Sequence, residues 1–305
     1  MEFLYLLESI RLPILNEFML AVTRLGEETA FLVVALTLFW CVDKQKGYYI
    51  LSVGFVGTIT NQFLKLWFRL PRPWVIDSQF TILEQAREAA TGYSFPSGHA
   101  QNAVGTFGGI AYVFRNRWVK IITLLAAVLV PFSRMYIGVH TPLDVFVSVS
   151  VALILILILE PLVMHNFKRN FPLVFTGMMI LGIGYLCFVE FYRFPVDIDF
   201  HNLASGVQNA YTLLGCLMGL LIVYIVDEKW INFSTKAVWW AQILKVVGGL
   251  TLVLLVKTGL KSPLNLLLGE HIGRALRYML IVIIAGVVWP LSFKFFKRLG
   301  EKREE

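Results

Sequence analysis

Charge is what this chain has least of. Only 15% of its 305 residues are Asp, Glu, Lys or Arg, while 57% are hydrophobic and the mean hydropathy is +0.71. A water-soluble domain carries about a quarter charged residues and stays near half apolar, so this balance excludes a soluble globule and indicates an integral membrane protein. Cysteine is equally scarce. Cys41, Cys187 and Cys216 all fall inside apolar runs, which offers neither a disulfide framework nor a metal cluster and reads as three small buried hydrophobes. Acidic residues are the minority charge, 20 against 27 basic ones for a net +7. The basic excess sits in short connections, where it reports membrane orientation and calls for no nucleic-acid partner. The first residues carry Glu2, Glu8 and Arg11 where a signal peptide would have a basic segment and a clean apolar core, so no cleavable leader is expected. Internal repeats, low-complexity tracts and long linkers are also lacking.

What is abundant is apolar length. Runs able to cross roughly 30 Å of hydrocarbon lie near 28–42, 47–66, 99–115, 118–140, 142–164, 171–192, 207–226, 237–259 and 272–295. Residues 3–22 mix Glu8, Arg11, Asn16 and Glu17 with leucines at helical spacing, which suits an interfacial helix, with a tilted crossing as the alternative. Nine or ten spans are therefore expected. With nine, the basic connections around Lys44–Lys46, Arg115–Arg117, Lys168–Arg169 and the tail from Lys294 to Arg303 share one side, the cytoplasmic one by the positive-inside rule. The stretches 67–98, 134–141 and 193–206 then face outward, extracytoplasmic in a bacterial plasma membrane. Two crossings separate the segment before His99 from the one ending at His140, so both emerge on the same face.

Three polar clusters stand at span ends on that face: Lys65 through Arg72 and Pro73, Pro96-Ser97-Gly98-His99, and Ser133-Arg134 through His140 to Asp144. Each has an ordinary explanation. Lys65 can snorkel to the headgroups; Ser97 can cap a helix; Thr141-Pro142-Leu143-Asp144 is a helix start with a capping box. Each also has a chemical one. The helix beginning near Gly98 offers free N–H groups and a positive dipole end to an anion, and Gly98 admits that anion close to the backbone. His99 would then exchange a proton with the bound group. Asp144, one turn after His140, could accept the N–H of that imidazole, fix its tautomer and leave the other nitrogen to attack. Their coincidence in so uncharged a chain favours the chemical reading. Lys65, Arg72 and Arg134 specify a compact polyanion, and with no Asp/Glu cluster to hold a divalent ion they would neutralise it themselves, which implies metal-free phosphoryl transfer without a cofactor.

Together these segments resemble the lysine-x6-arginine-proline, proline-serine-glycine-histidine and serine-arginine-x5-histidine-x3-aspartate signature of the type 2 phosphatidic acid phosphatases (PAP2). That superfamily also contains the vanadium haloperoxidases and glucose-6-phosphatase. The resemblance covers roughly residues 24–164 and misses no position of the signature. It implies an all-α, polytopic membrane bundle with a six-helix PAP2-like core over residues 1–164, of which the composition reads 1–27 as the interfacial helix; the apolar runs beyond that core add about four transmembrane helices over residues 165–305. It also implies roles: His140 as the nucleophile forming a phosphohistidine, Asp144 orienting it, His99 as the acid that protonates the leaving oxygen and then the base that activates water. Lys65, Arg72, Ser97, Gly98 and Arg134 would hold the phosphate oxygens.

The expected activity is hydrolysis of a lipid phosphate or diphosphate by a multi-pass protein whose partners are membrane lipids. Phosphotransfer through the same site is one alternative, and a lipid transporter or scramblase using the site as a headgroup-binding module is another. A soluble sugar phosphate is kept open by the glucose-6-phosphatase resemblance. Lys245, inside a span, is expected either to handle substrate or to pair with Glu160 or backbone carbonyls. Glu190, Arg193, Asp197, Asp199 and His201 form an outer polar patch, and Asp77, Glu84, Arg87 and Glu88 a solvated loop surface that could serve as a lid.

Overall fold

In the computed structural model, which describes residues 1–87, 90 and 92–299, the chain is helical and forms no strand among the described residues. Glu88 and the end of the basic tail lie outside them. Helices α1 (Glu2–Ser9) and α2 (Pro13–Thr23) replace the single interfacial helix expected for 3–22. The break falls at Pro13, which forces Leu12 into an extended conformation. Helix α3 (Glu28–Thr37) runs into a π turn at Leu38–Val42 and is followed by α4 (Lys44–Phe68). Helices α5 (Gly98–Ala103) and α6 (Gly109–Val113) are joined by another π turn, Val104–Gly108. Then come α7 (Arg117–Tyr136), α8 (Pro142–Met164), α9 (Phe167–Phe191), α10 (Phe200–Val226), α11 (Trp239–Gly259) and α12 (Lys261–Ile283).

Every apolar run read from the sequence is helical, yet among the described residues six helices, not nine or ten, are long and apolar enough to cross a membrane, or seven if the bent pair Pro13–Gly26 and Glu28–Val42 is one span. The shortfall has a physical source. Helix α4 carries Lys44, Lys46, Asn61, Gln62 and Lys65 along its length, and the segment from α5 to α6 stops at Val113, too short for the hydrocarbon core at 1.5 Å per residue.

Two compact units are present. The first comprises Met1–Leu32, Tyr49–Asn166 and Arg193–Gly206, the second Val33–Tyr48, Phe167–Tyr192 and Val207–Glu305. In the first, α5 packs against both α7 and α8, and α2 against α7. Small residues permit the close approach: a Cβ on Gly57 of α4 would come within 2.6 Å of Gln101 Nε2 on α5. Arg11 donates from Nε to the Tyr136 carbonyl (3.1 Å), and Tyr136 Oη donates to Asn16 Oδ1 (2.8 Å), which ties the first two helices to the end of α7. The loop after α4 is more than a solvated surface. Phe80, Ile82 and Ala86 are buried in it, and Leu83 N donates to the Ile137 carbonyl at 3.1 Å, while the Arg87–Glu84 pair stays exposed.

In the second unit, Trp40 is fully buried and donates from Nε1 to the Ala285 carbonyl at 2.9 Å. Lys44 pairs with buried Asp227 at 2.7 Å. Lys245 is fully buried; its ammonium donates to the Thr235 carbonyl (3.2 Å) and lies 4.5 Å from the centre of the Phe293 ring, the backbone-carbonyl pairing among the alternatives read from the sequence. Gly269 interrupts α12 with φ +77°, a conformation that favours glycine. The chain turns back there, so that a Cβ on Gly273 would sit 2.6 Å from the Leu264 carbonyl oxygen.

Candidate active site

All eight residues singled out from the sequence fall within the first unit. Local geometry explains how three sequence segments deliver them. Lys65 ends α4, and its ammonium donates to the Tyr93 carbonyl at 2.6 Å. Beyond α4 the chain leaves the helix at Arg69, with φ +53°, and Arg72 caps the short helix Pro73–Ile76 in an extended conformation. Arg72 is 6% exposed. Its guanidinium donates from Nε to the Gly92 carbonyl (3.1 Å) and from Nη1 to the Val139 carbonyl (3.0 Å).

Ser97 is the N-cap of α5, its hydroxyl accepting from Ala100 N at 3.4 Å, and its own N–H donates to the Asp144 carbonyl at 3.2 Å. The second cluster is thereby fastened to the first turn of α8. Behind His99, Gly26 approaches so closely that a Cβ there would lie 2.8 Å from the His99 carbonyl oxygen; any larger residue would push His99 out of place.

Arg134 lies in the last turn of α7, 1% exposed, with Nη1 donating to Thr23 Oγ1 at 2.7 Å and Nε without a hydrogen-bond partner among the described residues. The chain then reverses at Gly138, φ +88°, where a Cβ would meet Arg11 at 2.9 Å and the Phe80 ring at 3.0 Å. Val139 N closes the turn on the Arg134 carbonyl (3.2 Å). This reversal brings His140 back beside Arg134.

His140 is 2% exposed and Asp144 likewise. Arg72 Nη1 stands 3.0 Å from His140 Nε2 and 3.5 Å from Nδ1, and His140 Nδ1 stands 3.5 Å from Asp144 Oδ2. A guanidinium has donors only, so a ring nitrogen that accepts from Arg72 carries its lone pair; with Nε2 as that acceptor, the ring proton is on Nδ1, beside Asp144. The same Oδ2 accepts from Ser94 Oγ (2.6 Å) and Thr141 N (2.7 Å), while Thr141 Oγ1 accepts from Asp144 N at 3.3 Å. Asp144 thus closes a capping box and lies beside the imidazole at once.

His140 occupies the turn between α7 and α8, outside the helices. Its pKa is held well below the ordinary histidine value, first by burial and then by Arg72, Arg134, Lys65 and His99. Arg72, in the loop after α4, is brought down to about 10 by burial, with Asp144 opposing. A neutral imidazole ringed by three cations is an arrangement that waits for an anion.

Two supporting residues, Thr23 and Ser94, escaped the sequence reading, as did the buried Asn61 beside Gly98. Thr23 and Ser94 are distant in sequence from the groups they hold, and no periodicity marks them. Asn61 had a faint signal, standing one helical turn before Lys65.

Two family models match the chain: the PAP2 superfamily over residues 45–170, and the transmembrane extension of the PAP2 superfamily phosphatases over residues 211–302. Phosphatidylglycerophosphatase B of Bacillus subtilis is 32% identical over 164 residues, 50% of this chain and 76% of that one. The chain belongs to the PAP2 superfamily. Undecaprenyl-diphosphatase BcrC of Bacillus subtilis is 32% identical over 127 residues, 41% of this chain and 63% of that protein. Sphingosine-1-phosphate phosphatase 1 of Mus musculus is 25% identical over 284 residues, 84% of this chain and 62% of that protein. No solved structure matches. The PAP2 match begins at α4 and includes all eight residues singled out from the sequence, and the extension match covers α11, α12 and most of α10.

Proposed function

We propose that this multi-pass PAP2 phosphatase hydrolyses a lipid phosphate or lipid diphosphate through a phosphohistidine on His140, at headgroup depth on the membrane face opposite the basic connections. The observation that carries the reading is the buried His140 imidazole, with Nε2 at 3.0 Å from Arg72 Nη1 and Nδ1 at 3.5 Å from Asp144 Oδ2. A phosphoryl group entering here draws the Arg72 guanidinium onto its own oxygens and frees the Nε2 lone pair for in-line attack. Lys65, the open Nε of Arg134, the Ser97 hydroxyl and the Gly98 amide take the remaining oxygens, stabilising charge as it shifts in the transition state. His99 gives its proton to the departing lipid oxygen and afterwards takes one from water. Asp144 steadies the positive charge that develops on His140. The names of the relatives point to phosphate and diphosphate headgroups, and the apolar surroundings of the site suit substrates whose tails stay in hydrocarbon.

The test is phosphate release by detergent-purified protein, with EDTA present, from phosphatidate, phosphatidylglycerophosphate, a polyprenyl diphosphate, sphingosine 1-phosphate and glucose 6-phosphate, each beside His140→Ala. EDTA-resistant release that disappears in the variant is the expected result, and the ranking names the headgroup. A folded protein that releases phosphate from none of them overturns the proposal.

A further inference from the structure

Asn61 presents a side chain that the fold itself does not use. It is 4% exposed, and neither its Nδ2 nor its Oδ1 has a hydrogen-bond partner among the described residues. Burying an amide with both ends unpaired is unfavourable by several kcal/mol, and an unpaired group of this kind in a native protein calls for an explanation. Its position supplies one. Gly57, Asn61 and Lys65 recur every four residues along α4 and so share one face. Gly57 lies against Gln101, and a Cβ on Gly98 would sit 3.7 Å from Asn61 Oδ1 and, its chain neighbours and its own helix backbone apart, meet nothing else within 4 Å among the described residues. The open space beside Gly98 is thus bordered by Asn61 on one side, at the start of α5, with His99 next in the chain.

We infer that Asn61 positions the hydroxyl of the reaction, holding the lipid hydroxyl once His99 has protonated it and then the water that replaces it, next to the phosphoryl group. The chemistry of the side chain favours this over a further anion contact. Phosphoryl oxygens are acceptors only and would use Nδ2 while facing the lone pairs of Oδ1. A phosphoryl oxygen beside a hydroxyl uses both ends: Nδ2–H donates to the former and Oδ1 accepts from the latter. The amide also adds no fourth positive charge to a site that already has three. The inference rests on the phosphohistidine reading. In the first step the His140 Nε2–P bond forms, the P–O bond to the lipid breaks, and the lipid oxygen takes a proton from His99. In the second a water O–P bond forms, the N–P bond breaks, and the water proton returns to His99. The leaving oxygen is tethered to the bound substrate whereas water is not, so loss of Asn61 slows the second step more than the first.

The experiment compares wild type with Asn61→Leu, which keeps the volume, and Asn61→Asp, which keeps the shape and the acceptor. Turnover of the best substrate and the steady-state level of acid-labile, alkali-stable ³²P on His140 are measured in acid-free quenches. For Asn61→Leu the expected result is a kcat lowered about 10- to 100-fold, KM within about threefold of wild type, and a phosphoenzyme level several times higher. Asn61→Asp, which places a negative charge beside the phosphate, raises KM as well and reports on the same position if the leucine variant does not fold. Wild-type turnover in either variant overturns the inference, as does a lowered kcat without extra phosphoenzyme in Asn61→Leu, which marks a structural role. A wild-type protein without phosphoenzyme brings down the phosphohistidine reading itself; an active, labelled wild type with an indifferent Asn61 brings down this inference alone.

Discussion

Replacing Asp144 by Asn separates the two tasks that one carboxylate performs. As a cap, Asp144 accepts from Thr141 N at 2.7 Å, and an Asn side chain retains an oxygen for that bond. Loss of the whole cap is worth about 1 kcal/mol, so the substitution should lower stability by no more than about that much, roughly 2–4 °C in Tm for a chain of this size. As the partner of His140, the carboxylate lies 3.5 Å from Nδ1 with 3% of its side chain exposed. Two unit charges at about 4 Å in a protein-like dielectric near 20 attract by about 4 kcal/mol. Most of that appears only as His140 becomes positive during attack, so it is realised in the transition state and belongs to kcat. Asp144→Asn should therefore reduce kcat by about 10³, with the loss of the 2.6 Å Ser94 bond as a secondary contribution. Phosphate release and thermal unfolding of the same detergent preparation give both quantities. A variant that unfolds near the wild-type temperature and keeps a tenth or more of wild-type kcat would refute the orienting role and leave Asp144 as a cap.

Gly138→Val forces a β-branched residue to φ +88° against Arg11 and Phe80 and should destabilise the protein by at least about 2 kcal/mol, seen as a lowered Tm; an unchanged Tm would show that the turn has an alternative conformation. Thr23→Val removes the hydroxyl that fixes Arg134 at 2.7 Å and should cut kcat/KM about tenfold, with Thr23→Ser restoring it; equal loss in both variants would mean that packing, not the hydroxyl, matters. The depressed pKa of His140 keeps it neutral and nucleophilic below its ordinary value near 6.5, so any acid limb of kcat/KM due to His140 should lie well below that ordinary value. In stability the sign runs the same way: the neutral form is favoured on folding, so the contribution of His140 is complete above about 6.5 and declines as pH falls below it, where the unfolded chain binds the proton first. A kcat/KM limb at or above 6.5 assigned to His140 by mutation would contradict the burial of the ring.

Much of this was legible in the sequence because membranes leave few choices. Apolar runs must be helical, since no water is present to satisfy an exposed backbone, and every run became a helix. Span counting fared worse, because α4 and the α5–α6 segment are polar or short where the site is. The site residues themselves were legible by rarity: a buried cation or histidine in such a chain calls for a reason. The residues that hold them were not. Thr23 meets Arg134, Ser94 meets Asp144, and Arg72 meets His140 across sequence separations of 111, 50 and 68, and a hydroxyl or amide is too common a group to announce such a contact. The Lys245 alternatives were likewise resolved only when Thr235 and Phe293 were seen beside it.

By itself, then, the amino-acid sequence determined the helical class, the membrane setting and the identity of the charged groups, because hydropathy, helical periodicity and the expense of burying charge act locally and leave marks in composition. Tertiary structure alone decided that His140 lies between Arg72 and Asp144, that one carboxylate both caps α8 and lies beside the imidazole, and that Asn61 borders the open side of Gly98. Those are relations between segments brought together by packing, where distances of a few tenths of an ångström decide whether a hydrogen bond exists, and no single segment encodes them.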